Sequence, residues 1–198
     1  MRKEKLEELN SYIEELKTIK KINLKEPHKF LSVEKYQCFL NNGEKIIREK
    51  LLKGGTNGNA VIILPITEDN NTIITVQPRV FTKSTIGIDL PAGYVEENES
   101  YEEAAKRELF EETGYQAKEL IELCEFNQDE GCSAALNKCF IALNCVKTGN
   151  QKLDESEFIK YFECTLDELF FLADNGYIEG ANSLLTIEKA KQYLKKRG

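Results

Sequence analysis

The 198-residue sequence contains one histidine, His28. Its six cysteines, Cys38, Cys124, Cys132, Cys139, Cys145 and Cys164, form no CxxC pair. Zinc wants Cys and His clustered at short fixed spacings, so a zinc site is excluded. A Cys–His catalytic pair would have to draw on that single histidine, and nothing local marks a nucleophile. No run approaches the roughly 18 apolar residues of a membrane helix. The opening MRKEKLEELN is charged from its second residue and no apolar core follows it, so no secretory signal is expected. The cysteines then read as reduced, largely interior thiols of a cytoplasmic protein, not as a disulfide framework. There is no basic stripe or Lys/Arg block, which argues against a nucleic-acid partner. GxGxxG and P-loop signatures are missing, and so are internal repeats and low-complexity tracts.

What is present describes a globular chain. Hydrophobic residues make up 41% and charged residues 31%, enough apolar content for a core. Lys and Arg number 27 against 34 Asp and Glu, a net charge of −7. A small anionic substrate would therefore need local cations or a metal. Leu6, Leu9, Ile13 and Leu16 make a helical stripe within residues 3–20, fit either to pack on its own domain or to meet a second copy. Pro27 stops any helix there. An apolar run at 30–39, then Asn41-Asn42-Gly43, then Ile46-Ile47, predicts a hairpin. Strands are expected over 60–66, 72–76, 85–90, 117–126, 134–146 and 158–164. Helices are expected over 100–113, from 165 to about 175, and over 183–196. Ser100 with Glu103, and Thr165 with Glu168, read as capping boxes, and Gly114 as a helix stop. This order predicts an α+β fold with a mixed sheet.

The chemistry lies in residues 93–115, GYVEENESYEEAAKRELFEETGY. On a helical wheel, Tyr101, Ala104, Ala105 and Leu109 form one apolar stripe. Glu108 and Glu112 fall inside that stripe, about 20° either side of its reference line, and Glu111 on its flank. Glu102 and Glu103 lie away from it, spaced to pair with Lys106 and Arg107. Two carboxylates on a face due for burial cost several kcal/mol unless a cation compensates them. A hard divalent ion with oxygen ligands suits such a cluster without His or Cys. The wheel alone is equally compatible with a Glu-rich surface helix.

The spacing adds to this. Gly93, five residues, Glu99, seven residues, Arg107-Glu108-Leu109, one residue, Glu111-Glu112, one residue, Gly114-Tyr115 resembles the Nudix box at every defining position. The resemblance implies a Nudix-type α/β/α sandwich. It implies a loop–helix–loop that holds Mg²⁺ or Mn²⁺ against a diphosphate. By it, Glu108, Glu111 and Glu112 form the ligand cluster, Arg107 orients them, and Glu99 supports. Gly93 and Gly114 permit the bracketing turns.

Further matches resemble the ADP-ribose pyrophosphatase branch. Leu90-Pro91-Ala92-Gly93 leads into the box, and the Ala92 carbonyl is implied as a metal contact. Gln77-Pro78-Arg79 resembles a Gln-x-Arg whose arginine, here Arg79, faces substrate. Asp154-Glu155-Ser156-Glu157 resembles an acidic loop, implying Glu155 as general base and Glu157 as a further ligand. Lys83 is a phosphate-contact candidate ranked below Arg79 and below its reading as an ordinary loop cation, and Cys132 reads as packing. Two features depart: residues 129–135 keep Gly131 and Ser133 but lose a proline and trailing acids, and the acid before the Leu-Pro-Ala-Gly run is Asp89.

The expected activity is metal-dependent hydrolysis of a nucleoside diphosphate linked to another group, foremost ADP-ribose to AMP and ribose 5-phosphate. Alternatives are another nucleotide-sugar or dinucleotide pyrophosphatase, or a nucleotide-binding regulator without turnover. A hydrolase of oxidised nucleoside triphosphates is disfavoured by the flanks. The division expected is an N-terminal appendage at 1–26, N-terminal strands at 27–56 and a Nudix domain at 57–198. The branch resemblance also implies a homodimer paired through 29–50.

Overall fold

The computed structural model describes residues 2–22, 24, 27 and 30–196, which leaves His28 outside the described residues. The chain begins with α1 (Lys3–Leu16), then a hairpin of β1 (Leu31–Phe39) and β2 (Lys45–Lys53). Next come β3 (Ala60–Thr67), β4 (Asn71–Pro78), β5 (Ile86–Asp89) and β6 (Ala92–Tyr94). The helix α2 (Tyr101–Thr113) leads into β7 (Tyr115–Gln116), β8 (Glu119–Asn127) and β9 (Leu136–Lys147). The chain closes with β10 (Lys160–Thr165), α3 (Leu166–Asp174) and α4 (Ala181–Lys195).

The order β10-β4-β3-β9-β7 forms the spine of an eight-stranded sheet, with β5 on β4, β6 on β3 and β8 on β9. The β3–β9 pair is parallel and its neighbours are antiparallel, so the sheet is mixed as expected. β3 is apolar on both faces, which marks a strand covered twice. Val61 and Ile63 pack with Ala104, Ala105 and Leu109 of α2. Ile62, Leu64 and Ile66 point the other way, into a core shared with α1, α3 and α4. This period of two builds helix layers on both sides of the sheet.

Packing on its own domain is the role seen for α1: Leu9 is fully buried and Tyr12 meets Phe162 edge-on. The helix stops at Leu16, four residues short of expectation. There the Thr18 N–H turns to the Thr85 hydroxyl and Lys21 Nζ to the Val80 carbonyl, which draw the chain out along the loop between β4 and β5. Thr85 in that loop takes φ +59°, strained for a β-branched residue, so β5 starts one residue late.

The β1–β2 ribbon forms a separate sheet, joined to the body where Leu51 N–H donates to the Cys132 carbonyl at 2.7 Å. One of its faces carries Leu31, Val33, Ile47 and Phe39, all exposed. No helix among the described residues is long and apolar enough to cross a membrane. The six cysteines are free, with Cys139, Cys145 and Cys164 buried.

Candidate active site

The helix α2 is set at both ends by its own sequence. Ser100 Oγ accepts from the Glu103 amide at 3.2 Å, and the Glu103 carboxylate accepts from the Ser100 amide at 2.9 Å. At the other end Gly114 takes φ +76°, and its N–H closes on the Phe110 carbonyl at 2.7 Å. A Cβ at Gly114 would also overlap the Gly149 carbonyl. The helix axis is thus fixed against β3 and β6 by caps and by its buried alanines.

Arg107 is the hub of the acid cluster. Its Nε and Nη2 donate to both oxygens of Glu99, at 2.8 and 2.9 Å. Nη1 donates to Glu108 at 2.8 Å and to Glu111 at 3.0 Å, and Nη2 also reaches the Tyr94 carbonyl at 2.9 Å. The pairing of Arg107 with Glu103, expected from their spacing, does not form. The capping box engages the Glu103 carboxylate, and Glu99 offers Arg107 a two-pronged partner.

Glu108 and Glu112 are buried on the sheet side, as the wheel predicts, at 9% and 3% exposure. Gly93 makes room for the first, since a Cβ there would overlap the Glu108 carboxyl. Burial pushes the Glu108 carboxyl up to about 7, against the pull of Arg107 and with the help of Glu111 and Glu157. Burial, and then the Glu108 charge, hold Glu112 well above the usual carboxylate range. The Ala92 N–H, 3.1 Å from Glu112 Oε2, and the charge of Arg79 oppose that shift only in part. Glu99 moves the opposite way, below the usual range, because of Arg107.

These groups line a cleft of about 890 Å³, within the range of small-molecule sites. Arg79, Ala92, Gly93, Glu108, Glu112 and Glu157 face it, as do Arg107 and Glu111. Glu99 stands behind Arg107, and Gly114 caps the helix. In the acidic loop Glu157 lines the cleft and accepts from the Asp154 amide at 3.1 Å. Glu155 is exposed and does not line the cleft, whereas Asp154 does. Lys83 lines the cleft as well. Sequence reasoning missed Lys53, Tyr94, Lys152 and Ser183 on its walls. Lys53 stands beside Gly54-Gly55 and Lys152 opens the acidic loop, the only local signals they carry.

The donor set fits a hard divalent ion: clustered carboxylates, of which Glu112 is deeply buried and has no ion-pair partner among the described residues. Among the described residues, no three of His, Cys, Asp or Glu stand together as a ready metal-holding group. Glu108 is turned to Arg107, and Glu112 to the Ala92 amide.

A model of the NUDIX domain matches residues 56–185. The chain is 33% identical over 150 residues to an ADP-ribose pyrophosphatase of Bacillus subtilis, covering 75% of this chain and 78% of that protein. It is 34% identical over 150 residues to a methanol dehydrogenase activator of Bacillus methanolicus, with the same shares covered. A crystal structure of an ADP compounds hydrolase matches the fold with a TM-score of 0.74 at 23% identity, over 92% of this chain and 96% of that one. Motif spacing, buried carboxylates, fold and relatives agree that the chain belongs to the Nudix family and is a Nudix hydrolase.

Proposed function

We propose that the chain hydrolyses the diphosphate of ADP-ribose, giving AMP and ribose 5-phosphate, with Mg²⁺ or Mn²⁺ as cofactor. The carrying observation is the buried Glu108–Glu112 pair, served by one arginine that Glu99 and Glu111 also share, at the floor of a cleft of nucleotide size. The B. subtilis relative named ADP-ribose pyrophosphatase supports this choice of substrate.

Glu108 and Glu112 would hold the ion, with the Ala92 carbonyl beside them and Glu111 on the flank. A bound divalent ion supplies charge neutralisation on the diphosphate and a water of lowered pKa. Arg107 keeps Glu108 and Glu111 oriented and Glu99 keeps Arg107 in place. Arg79 neutralises phosphate charge, and Lys53, Lys83 and Lys152 add positive charge along the walls. That local charge matters, because the net −7 repels an anion at long range. The acidic loop accepts a proton from the attacking water. Of its two glutamates we assign this role to Glu157, since it faces the buried carboxylates; Glu155→Gln is the comparison variant. The protein acts in the cytoplasm, without nucleic acid or membrane as partner. It acts as a homodimer, with the exposed apolar face of the β1–β2 ribbon against a second copy.

Product analysis tests the reaction. Purified protein with ADP-ribose and Mg²⁺ is expected to release AMP, and to release none after chelation or in Glu112→Gln. Intact ADP-ribose beside a consumed sugar nucleotide or dinucleotide would replace the substrate. A whole panel left intact with Mg²⁺ and with Mn²⁺ would put a binding regulator in place of an enzyme.

A further inference from the structure

Asp89 sits at the end of β5, just before the turn into β6, and is buried at 9% exposure. Its Oδ2 lies 3.5 Å from Arg79 Nε. Its Oδ1 accepts from Ser183 Oγ, in the first turn of α4, at 3.2 Å. Ser183 Oγ in turn accepts from the Leu90 amide at 3.1 Å, so the hydroxyl is held from both sides. Two glycines leave space for this arrangement. A Cβ at Gly87 would come within 2.5 Å of Arg79 Cγ and of Asp89 Oδ2, and one at Gly180 would overlap Asp89 Oδ1. Elements from both ends of the domain therefore converge on one carboxylate, and that carboxylate faces one guanidinium.

The Arg79 side chain is half exposed and long, and it lies in the same cleft as Glu108 and Glu112. Its charge reaches Glu112, where it opposes the effect of burial. An arginine free to swing beside Glu112, which has no ion pair among the described residues, and Glu108, which shares Arg107 with Glu99 and Glu111, would pair with them. It would then compete with a divalent ion for the same oxygens and leave the substrate side of the cleft.

We propose that Asp89 is a positioning residue that holds the Arg79 guanidinium on the substrate side of the cleft and keeps it off Glu108 and Glu112, with Ser183 fixing the Asp89 carboxylate. This rests on the reading of Arg79 as the diphosphate-facing cation. Its function is double: it aligns a substrate contact and it keeps the metal ligands free.

The test compares Asp89→Asn, Ser183→Ala, Arg79→Met and the doubles with Arg79→Met. Mn²⁺ binding is read without substrate, by electron paramagnetic resonance, and KM and kcat are read with ADP-ribose. Asp89→Asn is expected to weaken Mn²⁺ binding and to raise KM, each by about ten-fold, as for loss of one charge-assisted contact. Ser183→Ala is expected to move both in the same direction by less. In Asp89→Asn/Arg79→Met, Mn²⁺ affinity is expected to return to that of wild type, because the swinging Arg79 guanidinium is gone, while KM stays high. A merely structural role for Asp89 would give no such rescue. Unchanged Mn²⁺ affinity in Asp89→Asn that melts like wild type overturns the proposal, and so does loss without rescue. If Asp89→Asn does not fold, Ser183→Ala with and without Arg79→Met takes its place: loss with rescue supports the proposal, and unchanged affinity or loss without rescue overturns it. Wild-type protein that leaves ADP-ribose intact sinks the substrate reading alone, since the Mn²⁺ comparison needs no turnover.

Discussion

Glu112 is a carboxyl with one amide to bond and a second buried acid beside it. Its folded-state proton affinity, like that of Glu108, lies above that of the unfolded chain. Between the ordinary carboxylate value and the raised one, the folded state binds more protons than the unfolded state. Stability from these groups is therefore fully present at low pH and falls as pH rises through the window. For Glu108, the shift to about 7 corresponds to roughly 3 kcal/mol. Metal-free protein is expected to melt at a lower temperature at about pH 8 than at about pH 6, and Glu112→Gln to flatten that slope. Saturating Mg²⁺ should flatten it as well. A calorimetric series in chelator and in Mg²⁺ checks this, and a metal-free melting point that climbs over the same range would contradict it. Arg107 gives a second prediction. Lysine cannot reproduce its fork on Glu99 while also reaching Glu108 and Glu111. Arg107→Lys is expected to lose about 10- to 100-fold in Mn²⁺ affinity, measured by titration. At this scale, the buried positions of Glu108 and Glu112 were readable from a wheel. The resemblance names Arg107 as orienting the cluster, but its two-pronged pairing with Glu99 was not readable from the wheel, which sees only its own helix while Glu99 lies in the preceding loop. Asp154 was in plain view as an acid, but only the turn it makes with Glu157 carries it to the cleft.

Elements with punctuation at both ends were the legible ones. α2 and α3 carry both members of a capping box, and both boxes form. β6 was not expected, since Pro91 and Gly93 argue against a strand. It exists because β3 offers it an edge, pairing Ile62 with Ala92 and Val61 with Gly93. That pairing carries Ala92 to the floor of the site. α1 presents the reverse case: its stripe was clear but its partner was not, because a stripe says which face is buried and not against what. Leu9, fully buried among strands and helices, identifies the partner as the domain itself. Leu9→Ala is expected to cost about 2–5 kcal/mol in urea unfolding. A cost under about 0.5 kcal/mol, the range of surface changes, would mean that α1 docks elsewhere in solution.

At the scale of the whole molecule, the β1–β2 ribbon is a sheet of its own. Two strands alone are marginal in water, and these show apolar side chains to it. Light scattering is expected to give twice the chain mass of 22.7 kDa for wild type, and the single mass for Val33→Lys/Phe39→Lys. Wild type at the single mass would leave the ribbon without this partner. The hairpin itself was legible from its turn and its runs, whereas the strand order of the main sheet was not. Nothing in alternating side chains states which strand lies next to which.

The central parallel pair carries a consequence for how the molecule comes into being. β3 joins β9 across a long stretch of chain: the Ala60 amide donates to Asn137 Oδ1, 77 positions away. Inside that closed stretch lie Arg79, Asp89 and all of α2. Closing so long a loop has an entropic cost before any contact rewards it, and sheets dominated by such pairings fold slowly. The two acidic side chains are therefore buried together only when most of the chain has been committed to its final path. During synthesis, the cleft cannot assemble until β9 has left the ribosome, and until then Ala104, Ala105 and Leu109 of α2 wait for Phe140 and Ala142 to complete their cover.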